Sequence, residues 1–166
     1  MIEAMRERTK PFVLGPDDGE ATWFLGTRMA VKATAHSTGG TFGLIEARVA
    51  AGFSPPLHIH HQEDESFWVL DGALTLVCGG QAFQAGPGSF IYLPRDLPHT
   101  FRVDEGPARV LVLVQPGGHE RFYVEGGRPA LDETIPAFDP RDLERVRSLY
   151  AKYRLEEAGP PLRPVG

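Results

Sequence analysis

Two histidines one residue apart, His58 and His60, are followed by a carboxylate at Glu65 and a third imidazole at His99, and this spacing constrains the chain more than any other feature. A strand repeats every two residues, so His58 and His60 share a face while Leu57, Ile59 and His61 point the other way. Three neutral nitrogen donors and one anionic oxygen form a borderline-soft set that suits Fe, Mn, Ni, Co, Cu or Zn. The residues therefore predict one divalent transition metal per chain, held by His58, His60, Glu65 and His99. Four protein ligands on an ion that accepts six leave room for water, a chelating substrate or O2. For all four to serve one ion, two neighbouring imidazoles, a distant third and the carboxylate must converge inside a closed β shell.

The flanking segments read as strands. Glu65-Ser66-Phe67-Trp68-Val69-Leu70 is rich in strand formers and ends at Asp71-Gly72, a two-residue hairpin signal. Phe67 and Val69 share the face of Glu65, and Phe101 and Val103 that of His99, so the metal is expected against apolar walls. Phe67 and Phe101, with Phe42 and Val103, are candidates for a substrate pocket. Further strand-like runs fall at 22–25, 29–34, 41–49, 73–78, 81–84, 89–93 and 108–115, with turn signals between them. That many short strands indicate a sandwich or barrel. Towards the C-terminus Asp139 can cap a helix beginning at Pro140. Leu143, Val146, Tyr150 and Tyr153 recur at helical spacing, and Gly159-Pro160 is expected to stop that helix.

These residues resemble the cupin superfamily. Gly52, His58, His60, Glu65 and Gly72 match its first motif, and Gly88, Pro94 and His99 its second. The chain departs at Asp96, where the family usually has Gly, and at Val103, where it usually has Asn. Aspartate adopts left-handed angles more readily than most residues, so the turn at Asp96 is expected to survive. Glu63 is the nearest rival carboxylate, but Glu65 has the motif's spacing to Gly72. Residues 23–40, Pro116 to Phe122 and Tyr153 to Leu162 also resemble the quercetin 2,3-dioxygenase-like group of single-domain cupins. The resemblance implies an all-β fold, a jelly-roll (double-stranded β-helix) barrel with a short C-terminal helix. The whole chain, 1–166, reads as one cupin domain with a core barrel at about 22–115 and a helical extension at about 137–159.

Gly (19) and Pro (15) make up about a fifth of the chain, which fits many short strands joined by tight turns. The net charge of −5 argues against nucleic acid or an anionic membrane surface as partner. The single cysteine, Cys78, lies in an apolar run and reads as a packed side chain, and its lack of a partner favours a reducing compartment. No segment has signal-peptide or membrane-helix character, so a cytoplasmic protein is expected. His36 and His119 fall in loops, where most histidines are exposed.

The resemblance implies a metal-dependent dioxygenase, quercetinase-like, acting on a small enolic or phenolic compound, with Glu65 as both ligand and general base. The alternatives are a non-redox metal-dependent isomerase or lyase, and a non-catalytic small-molecule-binding cupin. A homodimer is expected, because Trp68, Leu70 and Ile91 are read as pointing away from the cavity.

Overall fold

Apolar residues alternate with polar ones along most of the predicted runs, and this pattern lets antiparallel strands bury one face. The computed structural model describes residues 10–163; the charged N-terminal stretch, apart from Lys10, lies outside the described residues. The strands are β1 (Glu20–Phe24), β2 (Thr27–Ala33), β3 (Gly43–Val49), β4 (Leu57–His60), β5 (Asp64–Cys78), β6 (Gln81–Ala85), β7 (Phe90–Leu93), β8 (His99–Gln115), β9 (Arg128–Pro129) and β10 (Leu155–Gly159). Among the described residues three short helices fall after β8: α1 (Glu120–Gly126), α2 (Pro140–Ser148) and α3 (Tyr150–Tyr153).

Two long strands organise the shell. β5 pairs antiparallel with β8 from Asp64↔Gln115 to Cys78↔His99, with shifts of register around Asp71 and Ala73. The first half of β5 also pairs with β7, and its second half with β6. The C-terminal half of β8 pairs with β3, which continues through β2 and β1 to β9. The N-terminal end of β8 meets β4 at His58↔His99, and β4 pairs with β10. Two layers thus share the bent strands β5 and β8, giving an all-β jelly roll.

The hairpin expected at Asp71-Gly72 is a bend inside one strand. Inward positions run 65, 67, 69 before Gly72 and 74, 76, 78 after it, so one extra residue switches parity and keeps the apolar set inside. Gly72 has φ +84°, and a Cβ there would lie 2.6 Å from the Glu105 carbonyl oxygen and 2.8 Å from Ala108 Cα. Only glycine allows β5 and β8 to approach so closely at the corner.

Ile45, Ala47 and Val49 of β3, Val69, Leu74 and Leu76 of β5, and Val110, Val112 and Val114 of β8 form the centre of the core. On the outer face Trp68, Leu70, Phe90 and Tyr92 are exposed. Ile91 packs against the core instead of pointing outward, because the parity of β7 places Phe90 and Tyr92 outside.

The C-terminal region departs from the expected single helix. Asp139 caps α2 by accepting from the Arg141 backbone N–H at 2.9 Å, with Pro140 in the first turn. The helical path breaks at Leu149 and ends at Arg154, whose backbone is left-handed (φ 52°). Residues 155–159 then extend as β10 against β4, with Leu155↔His60 and Glu157↔His58. An uncovered edge of β4 has unpaired backbone groups, and β10 satisfies them. Among the described residues no helix is long and apolar enough to cross a membrane.

Candidate metal centre

The short strand β4 carries His58 and His60 on one side, and the first residue of β8, His99, lies directly opposite His58. Glu65 enters from the start of β5. The imidazole centroids are 4.6 Å apart for His58 and His99, 5.1 Å for His58 and His60, and 5.1 Å for His60 and His99. Oε2 of Glu65 is 3.2 Å from Nε2 of His99 and 3.8 Å from Nε2 of His60. One potential donor atom from each of the four residues lies within 4.8 Å of the others. Donors about 2.1 Å from one ion are separated by roughly 3 to 4.2 Å, and the measured carboxylate–imidazole distances fall in that range.

Each ring has its other nitrogen engaged. Nδ1 of His58 lies 2.7 Å from the Pro56 carbonyl oxygen and Nδ1 of His99 lies 3.1 Å from that of Leu97. Nδ1 of His60 lies 2.5 Å from Oε1 of Glu63. Carbonyls and ionised carboxylates only accept, so each Nδ1 carries a hydrogen, which leaves Nε2 as the ring atom available to an ion. Tautomers set by such partners are typical of metal-binding histidines.

The electrostatics call for a cation. Burial pushes His58 down to about 3, and neighbouring His60 and His99 act in the same direction. Burial and then the charge of His119 lower His60. Burial also disfavours charge on His99, but its hydrogen bond to Glu65 and the charge of that carboxylate outweigh this and raise it. Burial pushes Glu65 up; the charge of His60 and the hydrogen bond and charge of His99 overcome it and lower it. An ionised Glu65 carboxylate is therefore buried beside two imidazoles, His58 and His60, that burial holds towards neutral, and it shares the Nε2 proton of His99. A divalent cation in place of that proton would satisfy all four groups, so donor set and environment fit a transition metal.

The donors sit on the wall of an apolar cavity. His58, His60 and Glu65 line it together with Met29, Phe53, Phe67, Leu74, Phe101, Val112 and Phe122. The Tyr123 hydroxyl also reaches the site, donating to Oε1 of Glu65 at 3.3 Å. Of the four pocket candidates, Phe67 and Phe101 are on the cavity wall, with ring centroids 5.6 Å apart in an edge-on arrangement. Phe42 and Val103 are not on that wall. Phe42 precedes β3 and lies beside Gly117, because Ile45, Ala47 and Val49 take the inward positions. Val103 is fully buried against the bend of β8 at Gly106.

Four other polar residues, Asp96, His61, His119 and Glu63, lie around the donors. Asp96 is left-handed (φ 64°), and its carboxylate receives Nδ1 of His61 at 2.7 Å on the outside of the shell. His61 points away from the donors, as its parity requires. His119 is only 3% exposed, unlike the surface loop residue expected. Glu63 is also buried, and with His60 and His119 it forms a second cluster behind the first. The aromatic run Phe122-Tyr123 on α1 is the one sequence signal for that arrangement, since its burial carries His119 inward.

Comparison with known proteins agrees with the fold. Residues 45–114 match the cupin domain family. Quercetin 2,3-dioxygenase of Bacillus subtilis (strain 168) is 27% identical over 139 residues, covering 84% of this chain and 41% of that protein. A quercetin 2,3-dioxygenase of Aspergillus japonicus is 27% identical over 134 residues, covering 78% of this chain and 33% of that protein. This chain thus spans less than half the length of either relative. An RmlC-like cupin from Shewanella frigidimarina NCIMB 400 has the same fold, with a TM-score of 0.58 at 12% identity over 68% of this chain and 96% of that one. The two-motif ligand spacing and the jelly roll agree with the cupin domain matched over residues 45–114.

Proposed function

We propose that this chain is a metal-dependent dioxygenase acting on a small enolic or phenolic compound. His58, His60, Glu65 and His99 would hold the ion. A bound redox-active ion would supply Lewis acidity and a route for electrons to dioxygen. The observation that carries the reading is the division of the Glu65 carboxylate. Oε2 faces the imidazoles, while Oε1 receives the Tyr123 hydroxyl on the side of an apolar, aromatic cavity.

That arrangement lets Glu65 act as a base. A substrate hydroxyl seated among Phe53, Phe67 and Phe101 reaches Glu65, the only carboxylate on the cavity wall among the described residues. Glu65 takes its proton, and the Tyr123 hydroxyl keeps the carboxyl group oriented as it turns from the imidazoles. The apolar walls exclude water and strengthen the charge interactions at the site. The similarity to quercetin 2,3-dioxygenases supports this reaction type. The same reading takes residues 1–166 as one domain, a small molecule as substrate and the cytoplasm as its place. It also takes the exposed face of Trp68, Phe90 and Tyr92 as the contact of a homodimer.

Elemental analysis of the isolated protein, paired with oxygen uptake over a panel of flavonols and diketones, tests the proposal. Fe, Mn, Ni, Co or Cu with oxygen consumption is the expected result. Zn with no uptake would favour a non-redox isomerase or lyase instead.

A further inference from the structure

Glu63 is a buried carboxylate that the proposed reaction does not use. It stands three residues after His60, is 3% exposed and lies behind the donor cluster. Such a group is strongly unfavourable without compensating donors. Two imidazoles meet it. Nδ1–H of His60 donates to Oε1 at 2.5 Å, and Nδ1 of His119 lies 3.0 Å from the same oxygen. The His119 contact is close but misdirected, so its Nδ1 makes no well-aligned hydrogen bond.

His119 is held there by packing. It stands at the N-terminal boundary of α1, and its ring lies 5.0 Å from Phe122, 5.3 Å from Tyr123 and 4.5 Å from His60, centroid to centroid. These contacts leave the ring little freedom to turn away from Glu63. The three imidazoles of the centre are therefore backed differently. His58 and His99 donate to neutral main-chain carbonyls, whereas His60 donates to a carboxylate. An anionic partner strengthens the hydrogen bond and raises the basicity of the opposite nitrogen.

We infer that Glu63 is a positioning residue for the metal centre, making His60 its strongest imidazole donor, and that the packed His119 ring, with Nδ1 3.0 Å from its carboxylate, limits the movement of Glu63. The inference rests on the reading of His58, His60, Glu65 and His99 as the ligands. A second ion between His60, Glu63 and His119 is the rival account. Two donors about 2.1 Å from an ion at right angles stand about 3 Å apart. The 2.5 Å between His60 and Glu63 is too short for two donors on one ion and fits a shared hydrogen.

Cobalt(II) titration of the chelator-stripped full chain tests the assignment, read by competition with a chromophoric chelator and by the visible absorption of the bound ion. Wild type is expected to bind one cobalt per chain. Glu63→Gln keeps shape and an acceptor oxygen and is expected to weaken binding about tenfold; Glu63→Ala, about a hundredfold. Both should shift the visible bands, and far- and near-UV circular dichroism of the stripped proteins should match wild type. His119→Gln is expected to weaken binding less than Glu63→Ala. Unchanged affinity and bands in both Glu63 variants would overturn the inference and leave the four-ligand reading intact. Two cobalt ions in wild type and one in His119→Gln would overturn it in favour of a second site. No cobalt uptake by wild type would overturn the four-ligand reading, and this inference with it.

Discussion

The Tyr123 hydroxyl donates to one oxygen of Glu65 across 3.3 Å while the other oxygen of that carboxylate lies 3.2 Å from Nε2 of His99. The base candidate is thereby tied on one side to the ligand cluster and on the other to a helix that packs over the barrel. Tyr123→Phe removes only the second tie. Hydrogen bonds to charged groups are worth about 1.5–3 kcal/mol, so turnover should fall roughly tenfold or more while metal affinity stays within about twofold. Steady-state oxygen uptake and metal competition measure the two effects. Equal losses in both would show that Tyr123 supports the ligand set instead of the base.

Glu65→Gln separates base from ligand. General base catalysis contributes about 10²–10⁴-fold, so turnover should drop by that order. The neutral amide oxygen still coordinates weakly, and metal affinity should fall less. Parallel kinetic and metal-binding measurements check this, and an equal fall in both would remove the base role.

Glu46 predicts a pH dependence of folding away from the cavity. Burial pushes its carboxyl up, but the hydrogen bond and charge of Arg109, with Lys32 and Arg48, outweigh this and hold it below its ordinary 4.5. Arg109 Nε donates to Glu46 Oε1 at 2.7 Å across the β3–β8 ladder. A lowered carboxyl contributes stability that is fully present above the unfolded value and lost as pH falls through the folded one. Urea unfolding of wild type should therefore weaken below about pH 4.5, and Glu46→Gln should show a shallower acid limb. Identical slopes would mean that the ion pair does not couple to folding.

Gly72→Ala tests the bent-strand account of the barrel corner. The new Cβ would meet the Glu105 carbonyl oxygen and Ala108 at backbone distances no side chain tolerates, in a left-handed conformation. The strained backbone alone costs about 1–2 kcal/mol, and the clash adds to it. Urea denaturation should show at least that loss. An unchanged midpoint would argue that β5 and β8 can separate at the corner.

Strand periodicity makes much of the architecture legible in the sequence. It placed His58 and His60 on one face and His61 on the other, and it assigned Phe67 and Phe101 to the sides of Glu65 and His99. Long-range geometry was not legible. Asp71-Gly72 has the chemistry of a hairpin, and only the pairing of β5 with β8 on both sides of it shows a bend. Leu143 to Tyr153 keep helical spacing, yet residues 155–159 extend because β4 has an edge to cover. The burial of Glu63 and His119 depends on α1 packing over the barrel, which no local spacing encodes. Phe42 falls outside the cavity wall because it precedes β3, whose Ile45, Ala47 and Val49 face the core.

The central claim is that His58, His60, Glu65 and His99 bind one transition metal together. Metal content after equilibrium dialysis against a divalent first-row ion, compared between wild type and His99→Ala, tests it most directly. The account predicts one ion per wild-type chain and a loss of most bound metal in the variant, with the fold preserved by circular dichroism. Wild type without bound metal, or a variant retaining a full equivalent, would contradict it.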